Sequence, residues 1–235
     1  MINSVRQTVL SILNKNNYGY VSPSDFNLFA KQAQLDIFED YFYQYNYQIN
    51  KENARQSGTG YADIKKGYEE VIDTFGVINP LIQTAPGTPG SNTWLMPSDY
   101  YLINKILYRD GVRQNEVERV HQNKITLLNQ SMLTAPSKLY PAYTQAGSVV
   151  TAFPSTINNA GDLTCQYIRF PKDPVWTFIT LSGGEPVFDQ TAADYQDFEL
   201  PLDDEPTLIN KILQFAGMSI RELQAVQFGQ GLESL

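Results

Sequence analysis

Histidine and cysteine are almost missing from this chain of 235 residues, where His121 and Cys165 are the only ones. One cysteine excludes an intrachain disulfide and a cysteine-based metal cluster. One histidine excludes a His-rich zinc site and the H-E-x-x-H pattern. Charge is scarce too. Asp, Glu, Lys and Arg make up 18% of residues, against about a quarter in an ordinary domain. What charge there is leans acidic, at −8 net with a pI near 4.7, so nonspecific binding to phosphate backbones is not expected. No apolar run reaches transmembrane length; VWTFITL comes nearest and reads as a strand. The first residues, MINSVRQTVLSILNK, lack the apolar core and cleavage site of a signal peptide and read as a short amphipathic helix. The expectation is a soluble protein made in a cytoplasm, with no membrane contact.

Amides and aromatics fill the gap that charge leaves. The chain holds 17 Asn, 18 Gln and 15 Tyr, a composition suited to neutral hydrogen bonds and flat contacts. Tyrosine enrichment is also a mark of interface cores. The densest stretch is Tyr18 to Ile49. Ser22 or Ser24 can cap a helix there, Pro23 suits its first turn and Asp25 suits the positive end of the dipole. On a helical wheel Phe26, Phe29, Ala30, Ala33, Ile37 and Tyr41 form one apolar stripe. Leu35, Phe38, Phe42, Tyr45 and Ile49 form a second, turned by roughly a third of a circle. Such a helix is either central to a monomeric bundle or covered on one side by a neighbouring subunit. On the second reading Phe38→Asp spoils assembly more than it spoils the fold.

The periodicities predict an α+β chain in four parts. Residues 1–79 are helical, with helices over Val5–Leu13, Ser24–Asn50 and Tyr61–Phe75, the last ended by Gly76. Residues 80–92, rich in Gly and Pro, read as a linker or protruding loop. Residues 93–201 form a mixed, mostly antiparallel β part. Its Asp110-Gly111 pair predicts a two-residue hairpin turn, with Arg109 opposite Val112 and Lys105 opposite Glu116. Tyr100–Arg109 reads as an inner strand and Val112–Val120 as nearer an edge. A helix over His121–Leu133, with Ile125, Leu128 and Met132 inward, precedes strands at Leu139–Ala146, Ser148–Phe153, Leu163–Phe170, Trp176–Leu181 and Phe198–Leu200. Residues 202–235 are C-terminal helices that pack on the helical part or on a neighbour. Gly217 breaks the first of them, and Ser219-x-x-Glu222 reads as a capping box for a second.

Chemistry is hard to find. There is no G-x-S-x-G, Walker A or G-x-G-x-x-G pattern, and Ser182-Gly183-Gly184-Glu185 reads as a hairpin turn. His121 falls at a helix start, where a solvated or capping role is expected, and Cys165 reads as a buried strand residue. Asp36, Glu39 and Asp40 share one helix, and Asp194 and Asp197 flank Tyr195. Neither spacing spans a cleft as a glycosidase pair must. Asp203-Asp204-Glu205 could hold a cation, but favourable placement at a helix start explains it. No catalytic, cofactor or metal residue is assigned, and an enzyme is not expected.

Four segments carry a likeness: GYVSPSDFNLFAKQAQLDIFEDYF (Gly19 to Phe42), LTAPSKLYPAY (Leu133 to Tyr143), YIRFPKDPVW (Tyr167 to Trp176) and FELPLDDEPTLINKILQFAG (Phe198 to Gly217). They resemble the virion structural proteins of crAss-like podoviruses that form neck and tail rings, as head–tail connectors beneath the portal. The resemblance implies a homo-oligomeric ring, dodecameric where it docks on the portal, with the portal protein and adjacent tail ring proteins as partners. It also implies a place in the virion neck or tail and passage of DNA through an acidic lumen. Head-to-tail rings use two different patches per subunit. The residues assigned to such contacts are Phe38, Phe42 and Tyr45 on the long helix, with Phe228 and Leu232 near the C-terminus. Another tail ring or hub protein, or a carbohydrate- or receptor-binding tail module, is the alternative.

Overall fold

The computed structural model describes residues 1–15, 21–55, 64–85, 91–111, 113–181 and 183–220. The fold is α+β, and its contacts divide into two compact units, Met1–Val71 with Pro171–Leu235, and Ile72–Phe170. Residues 171–201, assigned from the sequence to the β part, thus belong with the helices, and residues 72–79 belong with the strands.

In the first unit, α1 (Ile2–Lys15) and α2 (Pro23–Arg55) both contact α5 (Glu205–Ile220). Ile2, Val5, Val9 and Leu13 make the buried side of α1, and Leu208, Ile212, Leu213 and Ala216 that of α5. Ser22 is the residue that caps α2. Its hydroxyl accepts the Asp25 N–H at 3.2 Å and donates to the Asp25 carboxylate at 2.6 Å. The first stripe of α2 is inward, with Phe26, Ala30, Ala33 and Ile37 buried and Phe29 and Tyr41 half-buried.

Two amides on α2, seven residues apart, hold the segment that follows Phe170. The Asn27 side chain accepts the Trp176 N–H at 2.9 Å and donates to the Trp176 carbonyl at 3.3 Å. Gln34, only 1% exposed, donates to the Lys172 carbonyl at 2.8 Å and accepts the Glu199 N–H at 3.1 Å. They pair with extended backbone as a neighbouring strand would. Trp176 is buried under the Arg6 guanidinium, 3.7 Å from its ring centroid, and stacks on Phe178 and Phe188. A small hairpin of β9 (Phe178–Thr180) and β10 (Pro186–Phe188) springs from it.

The second unit is a closed sheet. Its strands are β1 (Gly76–Pro80), β2 (Ile82–Gln83), β3 (Thr93–Leu95), β4 (Tyr100–Asp110), β5 (Arg113–Arg119), β6 (Ala142–Ala146), β7 (Val149–Phe153) and β8 (Leu163–Arg169). They lie in the order β1-β8-β4-β5-β6-β7-β3-β2, antiparallel except for β5 with β6. The two ends of that order are one stretch of chain. β1 and β2 flank Leu81, which is buried and donates its N–H to the Leu163 carbonyl at 2.9 Å. One segment therefore pairs with β8 through its first half and with β3 through its second, which closes the sheet into a barrel. Alternate residues point inward: Trp94 and Met96, Ile106 and Tyr108, Val150 and Ala152, Leu163, Cys165 and Tyr167.

Several expectations are corrected. Residues 80–92 are no linker between units: Pro80, Leu81, Ile82 and Gln83 complete the barrel, and residues 86–90 lie outside the described residues. The hairpin turn is one residue further on than expected. Asp110 pairs with Arg113, opposite in charge, and Gly111 takes φ +60°; Val112 lies outside the described residues. Leu107 now opposes Glu116, and Lys105 reaches Glu116 along the diagonal at 2.9 Å. β5 is not an edge strand, although only Glu118 and Arg119 pair with β6. α3 (Ile64–Thr74) stops before Gly76, where a side chain would meet the Asp73 carbonyl oxygen at 3.0 Å. β1, β2, β3 and β10 were not expected, being short or exposed. Phe198–Leu200 forms no strand, and α5 runs through Gly217 to Ile220, leaving Ser219 inside a helix. Glu222 lies outside the described residues.

The helix expected over His121–Leu133 is shorter. α4 covers Gln122–Asn129, with His121 at its N-cap making no side-chain cap bond. The Gln130 and Ser131 N–H groups and the Thr134 hydroxyl take carbonyls of the last turn, which ends the helix. Ile125 faces in and Leu128 is half-buried, but Met132 is not inward at all. It is 100% exposed, and Leu133 beside it is 97% exposed.

Candidate functional site

The residues assigned to inter-subunit contacts separate. Phe38 is 1% exposed and belongs to the core of its own unit, with Phe42 edge-on against it at 5.1 Å between ring centroids. It is not available to a neighbour, so the second stripe of α2 starts as core. Phe42 and Tyr45 are half-buried, while Phe228 and Leu232 lie outside the described residues. From Glu39 to Ile49 no described side chain of α2 is buried.

A third stripe on α2 went unread. Asp36, Asp40, Tyr43 and Tyr47 recur at spacings of four, three and four, and Tyr43 and Tyr47 are 67% and 51% exposed. Asp36, Glu39, Asp40 and Tyr43 form one wall of an open groove of about 810 Å³, with Thr207, Asn210 and Lys211 of α5 opposite. The spacing is legible in the sequence, where the carboxylates stand out as one group but Tyr43 and Tyr47 fall outside both apolar stripes. Nearby, the Tyr41 hydroxyl donates to the Asp204 carboxylate. Burial first, and then that bond to an anion, push its pKa well up.

On the barrel unit, residues 127–140 make an apolar cap. Leu127, Met132, Leu133, Leu139 and Tyr140 are all more than half exposed. The cap is held in shape: the Asn115 side chain donates to the Lys138 carbonyl at 3.1 Å, and the Ser137 hydroxyl accepts the Tyr140 N–H at 3.2 Å. Lys138 is exposed within it, and Lys124 is exposed on α4, just ahead of it in the chain. LTAPSKLYPAY, one of the segments quoted for resemblance, overlaps this cap.

Charge separates by unit. The barrel unit holds seven Lys and Arg and six Asp and Glu, leaving ten and 19 to the helical unit; the nets are +1 and −9. Asp197 anchors the start of the chain. It accepts the N-terminal ammonium at 3.0 Å, the Ile2 N–H at 2.7 Å and the Phe198 N–H at 2.8 Å. Burial works to raise its pKa, but these bonds outweigh it and hold the carboxyl below its usual value. Cys165 is fully buried, which pushes its thiol up to about 11 and keeps it un-ionised.

Among the described residues, no three His, Cys, Asp or Glu side chains converge as a metal would need. Nor is any helix there long and apolar enough to cross a membrane. No protein-family model matches the chain, and no match is found among curated proteins.

Proposed function

We propose that this chain is a structural protein of a tailed-phage particle, forming a head–tail connector ring between portal and tail and part of the channel for DNA. The observation that carries the reading is the barrel's apolar cap. Met132 and Leu133 stand in water in a segment pinned by side-chain hydrogen bonds, and surfaces of that kind mark interfaces. The resemblance of four separate segments to neck and tail ring proteins supplies the kind of assembly. The acidic helical unit suits a DNA channel, where carboxylates keep the duplex from sticking.

Another tail ring or hub protein would use the same surfaces. A carbohydrate- or receptor-binding tail module would draw on the exposed Tyr43 and Tyr47, while Trp94 and Trp176 are both buried and add no stacking platform for a sugar. The test is an asymmetric reconstruction of the particle, with the chain assigned by its density. A ring of copies beneath the portal is expected. Density for the chain outside neck and tail overturns the reading.

A further inference from the structure

The two exposed surfaces are complementary, and we infer that they bind each other between copies: the barrel cap of one copy seats on the α2–α5 groove of the next. The cap offers Met132, Leu133 and Tyr140 as apolar anchors, with the exposed cation Lys138 in the same segment and Lys124 on the adjoining α4. The groove face offers exposed Tyr43 and Tyr47 for the anchors and, against Lys211, its single lining cation among the described residues, the three carboxylates Asp36, Glu39 and Asp40 for the cations. Flat tyrosine rings next to Met and Leu are typical of interface centres, and charges at the rim set orientation.

The partner is a second copy because the charge asymmetry points there. With +1 on the barrel unit and −9 on the helical unit, like units repel or ignore each other and unlike units attract. An isologous dimer through the α2 face would set Asp36, Glu39 and Asp40 against themselves. A heterologous contact avoids that and leaves each assembled copy with one unused cap or groove, the kind of contact from which head-to-tail rings are built. The inference rests on the proposed ring, and adds which surfaces make it.

Single-cysteine variants test it, since Cys165 is 0% exposed and does not compete for a thiol-reactive cross-linker of short span. Leu133→Cys and Tyr43→Cys alter side chains that are 97% and 67% exposed, so the fold is retained. Mixed at concentrations up to about 1 mM, the two variants are expected to give a covalent dimer containing one of each, while either alone gives none. Lys138→Glu on the Leu133→Cys chain should lower the yield about tenfold, and Asp40→Lys on the Tyr43→Cys chain should restore it. No mixed product at about 1 mM, equal product from one variant alone, or a yield indifferent to charge reversal overturns the inference. The outcomes separate from those of the ring itself. Copies that form a ring without this cross-link refute only the contact, and a cross-linked chain found outside neck and tail refutes only the connector reading.

Discussion

The helical unit and the barrel unit reach stability by different means. The barrel is an apolar interior closed by backbone pairing, with Trp94, Ile106, Val150, Leu163 and Cys165 all at 0% exposure. Amides stitch backbone in both units: in the barrel Gln83 donates to the Asn158 carbonyl at 2.8 Å and Asn92 to the Ala152 carbonyl at 2.8 Å, 75 and 60 residues away, and in the helical unit the spans are longer. Gln34 and Asn27 hold backbone 138 to 165 residues away, and Asp197 holds the chain's start from 196 residues on. Such stitching explains the unusual composition. A chain poor in charge but rich in Asn and Gln can fasten an extended segment to a helix without burying ions, whose desolvation is costly.

The sharpest way to break the comparison is Phe38→Asp. Phe38 is buried on α2, so a carboxylate there should cost more than about 4 kcal/mol and unfold the helical unit. This reverses the expectation that assembly would suffer first. Each unit holds one tryptophan, Trp176 and Trp94 respectively, so their fluorescence reports on the units separately. Loss of helical circular dichroism with a native Trp94 signal is expected; simultaneous loss of both would mean that the units are not separate in stability.

Ile106→Ala attacks the other side. It empties a fully buried position in the barrel and should cost about 2–5 kcal/mol in denaturant unfolding, read through Trp94. Gln34→Leu comes next. Its amide serves the Lys172 carbonyl and the Glu199 N–H, and removing it should cost about 1–3 kcal/mol. A change near zero would mean that water replaces the amide without loss, and that the stitching is incidental.

What could be read from the sequence follows the range of the forces. Helices depend on neighbours three and four residues away, and Val5, Val9 and Leu13, or Leu208, Ile212 and Leu213, declare themselves at that spacing. Barrel closure does not. β1 and β2 are five and two residues long, and nothing local tells Leu81 that it lies between two partners 82 residues and a turn apart. The hairpin shows the limit within a single turn. Asp-Gly is a turn signal, but whether Arg109 or Asp110 is the last paired residue depends on Asp110 meeting Arg113 and on which side chains face the core. At the candidate surfaces the sequence pointed to α2 but to its covered side. Met132 was misread because helical periodicity continues past Asn129 while the helix does not.

The smallest effects come from ion pairs, one in each unit. Asp197 has three N–H donors and a depressed pKa, whereas Lys105 and Glu116 meet at 2.9 Å with side chains 52% and 59% exposed. For Asp197 the sign is fixed by the direction of its shift. The unfolded carboxyl titrates near 3.9, so its contribution is complete above about that pH and fades as pH falls through the lower folded value. Asp197→Asn should cost about 1 kcal/mol at neutral pH, since solvent screens a third-exposed group, and should flatten the loss of stability below about pH 4. Lys105→Ala should cost under about 1 kcal/mol at any pH in that range, and its double-mutant coupling to Glu116→Ala should vanish in molar salt. A coupling that survived salt would place the pair in a drier setting than its exposure allows. It would also favour the register in which the two residues stand directly opposite, because the observed diagonal leaves both side chains reaching through solvent.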